Sequence, residues 1–359
     1  MKLSFKECAE LIYAVGESQT VMVEGPMGTG KSALGKYIIE KYLPDHNLII
    51  FDCSVRSEGD VALPWLVEIN GQKITTYAPT ELLGLHLDKP SLIILDELPK
   101  APPLLLNQML PLFLERRFNN MPLKAGTFIC ATGNLASELL GDSLPDHVLN
   151  RLMIVEMRKH MVVDDQGRPD EWLRDFAIPA GMHPAATAFV IEFPQIFAEH
   201  SEATKNNPYI HHPGQVAGQF VTFRSFFNMA MNHVPKRTQM SENAFFAGMV
   251  GMVGKACATD FLTFLRTDLD MPRTEDIVAD PTNCRLPHNK VEELIMVYRL
   301  AQQVSAKTIS QIVTYVKRMD GEQRALFTYL VTNTPGTISL LPQMYRLGMI
   351  NDNADLRTA

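Results

Sequence analysis

Apolar residues recur at helical spacing from Ser4 to about Ala14, and Thr20 to Glu24 then predicts a short buried strand leading straight into glycines. Helix-favouring residues follow from Lys31 to Lys41. Four further apolar runs, Leu48 to Phe51, Leu92 to Leu95, Phe128 to Ala131 and Met153 to Val155, are separated by helical segments. Continuous apolar strands spaced by helices are the rhythm of a parallel sheet covered on both faces, hence an α/β fold. Two inserted β-hairpins interrupt it. One spans Trp65 to Tyr77 around Asn70-Gly71, a pair suited to the positive φ of a tight turn. A weaker one surrounds Asn119-Asn120, after a helical stretch from Leu104 to Arg116 that Pro111 should bend or break.

Beyond about His160 the strand rhythm stops. Pro184 to Glu199, Gln215 to Asn232, Glu242 to Thr267, Lys290 to Val304, Thr308 to Lys317 and Glu322 to Val331 all favour helix. Breaks rich in proline, asparagine and histidine at Asn206 to Pro213 and Asp280 to His288 predict the loops of this second, mainly helical half.

Composition narrows the function classes. At 359 residues, 46% of them hydrophobic, the chain is long enough for two or three cores rather than one. A formal charge of -7 gives no global attraction for nucleic acid, although a local basic groove would escape that count. The five cysteines, Cys8, Cys53, Cys130, Cys257 and Cys284, include no CxxC pair and read as structural thiols in a reducing compartment. The amino terminus is interrupted by Lys6, Glu7 and Glu10 and lacks the apolar centre of an export signal. The longest apolar run, Ala244 to Gly254, has 11 residues with three glycines. That is short of the ~20 needed to cross a bilayer, so the expectation is a cytoplasmic protein without a membrane span.

The chemistry begins at Gly25-Pro26-Met27-Gly28-Thr29-Gly30-Lys31-Ser32, a match to GxxxxGK[ST] between a predicted strand and a predicted helix. Glycines are needed because backbone N–H groups must close around phosphate oxygens, where a β-carbon would obstruct. Lys31 then neutralises the β- and γ-phosphates of ATP, Ser32 offers a hydroxyl to Mg²⁺, and Ala33 continues into a helix whose positive end faces the anion. Ser91 to Glu97 is an apolar strand ending in two carboxylates. Asp96 emerges at the carboxyl edge of the sheet and can hold Mg²⁺ through water, and Glu97 is placed to polarise the attacking water. Asn134, after the strand at Phe128, either orients that water or caps the turn after Gly133.

These residues resemble the AAA+ ATPases, and the MoxR family in particular, on GPMGTGKS, LIILDE, ATGN, LPDHVLNR and TFRSFFNMA, over roughly residues 15 to 235. The resemblance implies a P-loop NTPase core with a five-stranded parallel sheet in 5-1-4-3-2 order over residues 1–160. It further implies an all-α lid over 161–235, followed here by a helical region over 236–359, and a homo-hexameric ring. Asn134 then resembles the sensor-1 residue, Arg151 the arginine finger reaching a neighbour's nucleotide, and Arg224 the sensor-2 arginine of the lid. Arg158 lies close to Arg151 and shares the candidacy; a surface salt bridge is the competing explanation for Arg151, and an arginine stem packed over aromatics for Arg224. The hairpin at Trp65 to Tyr77 matches the family's helix-2 insertion. The family also implies a protein client, recruited through a partner bearing a von Willebrand factor A domain.

Other signals are weaker. His211-His212 makes a poor metal pair, since adjacent side chains diverge and no carboxylate or cysteine lies at ligand spacing. The methionines from Met240 to Met252 fit core packing better than a peptide groove. Two other functions stand beside the first: a nucleic-acid motor or loader, which needs a basic groove, and a small-molecule kinase, which shares GxxxxGKS but has no use for Arg151 or Asn134.

Overall fold

The computed structural model describes residues 1–61, 63–78, 80–135, 144–212, 218–334 and 336–350. The chain divides into two compact units, Met1–His160 and Met161–Ala359.

The first unit is built on a six-stranded parallel sheet of β1 (Lys2–Leu3), β2 (Val21–Gly25), β3 (Asn47–Asp52), β6 (Ser91–Asp96), β9 (Phe128–Asn134) and β10 (Met153–Met157), in the order β1-β10-β2-β9-β6-β3. The expected count of five is therefore corrected to six. The extra strand, β1, pairs Lys2 with Glu156 and Leu3 with Met157. Two residues carry no readable periodicity, so only their partner reveals them.

Helices α1 (Phe5–Val15) and α2 (Leu34–Lys41) cover one face of the sheet and α4 (Pro103–Leu114) belongs to the core of the other. Leu92, Ile93, Ile94 and Leu95 of β6 are essentially inaccessible, alternating between the two cores. Each such side chain contributes roughly 1.5–3 kcal/mol by leaving water. Gly35 lets α2 lie close on the sheet, since a β-carbon there would stand 2.9 Å from Ile94 and from Leu48 side-chain atoms. Pro111 does not break α4, because it falls in the last turn and costs only one internal hydrogen bond.

Both hairpins form. Strands β4 (Pro64–Ile69) and β5 (Gln72–Tyr77) are joined by Asn70 and Gly71 with φ of 53° and 78°. The shorter β7 (Arg117–Phe118) and β8 (Met121–Pro122) turn at Asn119, φ 49°. Register aligns the carboxyl ends of the main strands: Gly25 lies beside Asn134, and Asp52 beside Asp96. Those residues sit where an open parallel sheet leaves room for a ligand.

The second unit is helical around one hydrophobic core running from Val162 to Ile350. Residues 161–235 and 236–350 thus share a single core. Several predicted helices are shorter than their apolar pattern. The run from Pro184 stops at Glu192, where Pro194 intervenes, giving α6 (Pro184–Glu192). Residues 215–217 of the run Gln215 to Asn232 lie outside the described residues; α7 (Phe223–Asn228) begins at a capping box of Thr222 and Ser225 and passes into a π-helical turn over Met229–His233. Glu242 to Thr267 divides at Gly254, φ 81°, into α8 (Glu242–Val253) and α9 (Lys255–Asp270).

Candidate active site

The loop from Gly25 to Ser32 takes its shape from three features. First, β2 ends at Gly25, where a β-carbon would stand 2.9 Å from the Met157 carbonyl oxygen of the neighbouring strand. Second, Gly28 and Gly30 adopt φ of 70° and 89°, the left-handed region that glycine enters without steric cost. Third, buried Thr29 closes the loop on itself by donating Oγ1–H to the Pro26 carbonyl at 2.8 Å. Met27 and Gly28 are half-buried at its rim.

Lys31 turns back into this loop. It is only 6% exposed, and its Nζ donates to the carbonyls of Gly25 at 2.6 Å and Pro26 at 2.8 Å, and to Asn134 Oδ1 at 3.0 Å. A buried ammonium is tolerated only when oxygens replace its water shell, and here the loop supplies them. The 3₁₀ turn Lys31–Ala33 then leads into α2, placing the first amides of that helical start at the end of the glycine loop.

Opposite the loop stand the two carboxylates that end β6. Ser32 Oγ donates to Asp96 at 2.9 Å from Oδ2 and 3.2 Å from Oδ1. Asn134 Nδ2 donates to both oxygens of Glu97, each at 3.1 Å. Thr132 and Asn134 are two residues apart on β9 and so point the same way. The Thr132 hydroxyl donates to Asp96 Oδ1 and accepts the Glu97 amide N–H at 3.2 Å, fixing the strand end that carries both acids. Glu97 itself has φ 55°, a backbone conformation that a non-glycine residue adopts only under constraint.

Thus Gly25, Lys31, Ser32, Asp96, Glu97 and Asn134 are brought together from three adjacent strands. The residues present fit a magnesium nucleotide: a hydroxyl and a carboxylate in contact form the all-oxygen pair that a hard cation takes, beside a glycine loop open to phosphate. In the neighbouring strands Glu24 and Glu156 are register partners; burial, and then the charge of Glu156, raise the Glu24 carboxyl above its ordinary range.

The sequence singles out three arginines. Arg151, half-exposed, donates Nη1–H to the His147 carbonyl of the short helix α5 (Asp146–Leu149) that precedes it. Arg158 follows β10, its amide bonded to Leu3. Arg224 is exposed on α7 of the second unit, between buried Phe223 and Phe226. His212 Nδ1 meets His200 Nδ1 at 3.2 Å, whereas the His211 ring packs against Phe220.

Three residues at the site escaped the sequence reading. Thr132 is one. Lys100 is another, its Nζ 2.9 Å from Glu97 Oε2. The third is His160, which donates Nε2–H to the Thr29 carbonyl at 2.6 Å and is the last residue of its unit. The period-two pattern of β9 could have signalled Thr132; nothing local signals His160.

No family model matches the sequence, and no curated protein matches it either. Among solved structures, the chain is similar to Hsp104 in its closed state with ATPγS and FITC-casein, at 18% identity and a TM-score of 0.32. That match covers 44% of this chain and 33% of the other, so the chain spans a third of Hsp104's length. It is also similar to NtrX from Brucella abortus in complex with ADP, at 15% identity, 96% and 68% coverage and a TM-score of 0.39. A second NtrX structure gives 14% identity, 97% and 63% coverage and a TM-score of 0.32. At these scores the likenesses are loose, and the chain's own geometry carries the functional reading.

Proposed function

We propose that this chain is an ATP-hydrolysing P-loop ATPase of the AAA+ class. The observation that carries the reading is the contact between Ser32 Oγ and the Asp96 carboxylate, with Lys31 and Glu97 joined through Asn134 beside it. No simpler structural need puts a buried lysine, two carboxylates and a glycine loop at one sheet edge. In this reading the amides of Gly28 to Ser32 hold the phosphates, with Gly25, Pro26, Met27, Thr29 and Ala33 shaping the loop. Ser32 and Asp96 hold Mg²⁺, which supplies neutralisation of phosphate charge when bound. Glu97 takes a proton from water as that water attacks the γ-phosphorus, and Asn134 orients it.

The finer reading follows the resemblance to the MoxR family: a homo-hexameric ring with Arg151 as the trans-acting finger and Arg224 as the lid's phosphate sensor, acting on a protein client through an adaptor with a von Willebrand factor A domain. The lid is residues 161–235 and the helical extension 236–359. A guanidinium supplied by a neighbour makes hydrolysis depend on assembly. Among the described residues no helix is long and apolar enough to cross a membrane.

The test is steady-state ATP hydrolysis with and without DNA, together with nucleotide binding. Lys31→Ala is expected to lose nucleotide binding, whereas Glu97→Gln keeps it and loses at least about 10²-fold in turnover. Normal turnover in the Glu97 variant refutes the assignment. Strong stimulation by DNA transfers the chain to a nucleic-acid-dependent motor, and phosphorylation of a metabolite by a monomer transfers it to the kinases.

A further inference from the structure

We infer that Lys100 is a positioning residue for the attacking-water base, an inference that rests on the proposed ATPase chemistry. The argument starts from the turn after β6. Leu98-Pro99-Lys100 forms a 3₁₀ turn closed by the Lys100 amide donating to the Glu97 carbonyl at 2.9 Å. That turn folds residue 100 back toward Glu97, whose left-handed backbone precedes it, and the two side chains meet as an ion pair.

The turn is held rigid. Pro99 fixes its own φ, and Leu98 and Pro99 are both buried. Gly133 of β9 admits the proline ring: a β-carbon there would stand 2.9 Å from Pro99 Cγ. The same approach brings Asn134 to Glu97. Lys100 is thereby committed to a site-facing ion pair while its stem remains partly in solvent, its side chain 39% exposed against 28% for Glu97.

The result is a line of alternating groups, Lys31 Nζ to Asn134 Oδ1, Asn134 Nδ2 to Glu97, and Glu97 Oε2 to Lys100 Nζ, at 3.0, 3.1 and 2.9 Å. The two ends differ in kind. Asn134 spans both carboxylate oxygens equally, so it sets the plane of the carboxylate without distinguishing one oxygen from the other. Lys100 takes Oε2 alone. A carboxylate offers about four lone-pair sites. With Oε2 holding Asn134 and Lys100, and Oε1 holding Asn134 alone among the described residues, Oε1 keeps the lone pair that accepts the proton of the attacking water. Lys100 keeps its charge throughout; one O–H bond of water breaks, one forms at Oε1, and the new oxygen–phosphorus bond replaces the bond to ADP. Lys100 acts through Glu97 and does not touch nucleotide.

The test compares turnover and nucleotide affinity in the full chain for wild type, Lys100→Met and Lys100→Arg, and for Glu97→Gln with and without Lys100→Met. The expected result is a fall of about tenfold in kcat for Lys100→Met, a fraction of the ~10²–10⁴ that a positioned base supplies, with KM and nucleotide Kd within twofold of wild type. Lys100→Arg restores most of it, and Lys100→Met costs nothing further once Glu97 is Gln. Unchanged or raised turnover in Lys100→Met, an equal loss in Lys100→Arg, or weakened nucleotide binding overturns the inference. A wild-type protein with no ATP hydrolysis defeats the proposed function itself, a different outcome from any of these.

Discussion

Glu97 is the residue at which backbone and side-chain constraints meet. Its left-handed φ of 55° is paid for by the Thr132 hydroxyl on its amide and by buried Leu98 and Pro99 after it. Such strain persists where surrounding contacts over-determine it, and it aims the carboxylate at Asn134. A second carboxyl, Glu24 on β2, tests the electrostatics of the sheet independently. Burial raises the Glu24 carboxyl in the folded state. A raised carboxyl means that the folded chain holds its proton more tightly than the unfolded chain does. Stability from this group is therefore present at acid pH and lost as pH rises through the folded value, above the ordinary 4.5. Glu24→Gln is expected to raise Tm at pH 7, with the gain shrinking toward pH 4 in thermal melts; a gain that grows on acidification contradicts the assignment.

At the scale of elements, the site depends on how closely β9 approaches the turn after β6. A β-carbon at Gly133 would stand 2.8 Å from Met22 Cε and 2.9 Å from Pro99 Cγ. The methionine tip can swing aside, but a buried proline ring cannot without moving its turn. Gly133→Ala should therefore lower turnover by about tenfold or more through misplacement of Glu97. Because Asn134, the next residue, also accepts from the P-loop Lys31, nucleotide binding should weaken too, but by less than turnover; turnover like wild type would show that the approach is not needed. The sequence made the strands legible because buried parallel strands are continuous apolar runs, and it made the phosphate loop legible because its residues are consecutive. Lys100 was not legible, since its meaning depends on the 3₁₀ geometry of Leu98-Pro99-Lys100 rather than on a 3.6-residue period. The divided helix at Gly254 was missed for a related reason. Gly248, Gly251 and Gly254 look alike in sequence, yet Gly248 lies against the His233 ring inside α8, and only Gly254 takes a positive φ.

For the whole molecule, the structure divides the chain into two units at His160. The sequence could not mark the contact from His160 to Thr29, because 131 residues separate them. Assembly is tested by mixing. Equal parts of Arg151→Ala and Glu97→Gln should recover part of wild-type turnover if each subunit completes its neighbour's site, whereas no recovery argues against a finger acting in trans. Light scattering in ATP supplies the matching size measurement. The central claim, that the glycine loop holds a triphosphate which Glu97-activated water cleaves, is tested most directly by following ATP on the protein. Wild type and Glu97→Gln are each loaded with ATP and Mg²⁺, freed of excess nucleotide, and quenched over time. The account predicts that wild type releases phosphate and that the variant retains uncleaved ATP. Cleavage at the same rate in both proteins, or no retained nucleotide in either, contradicts it.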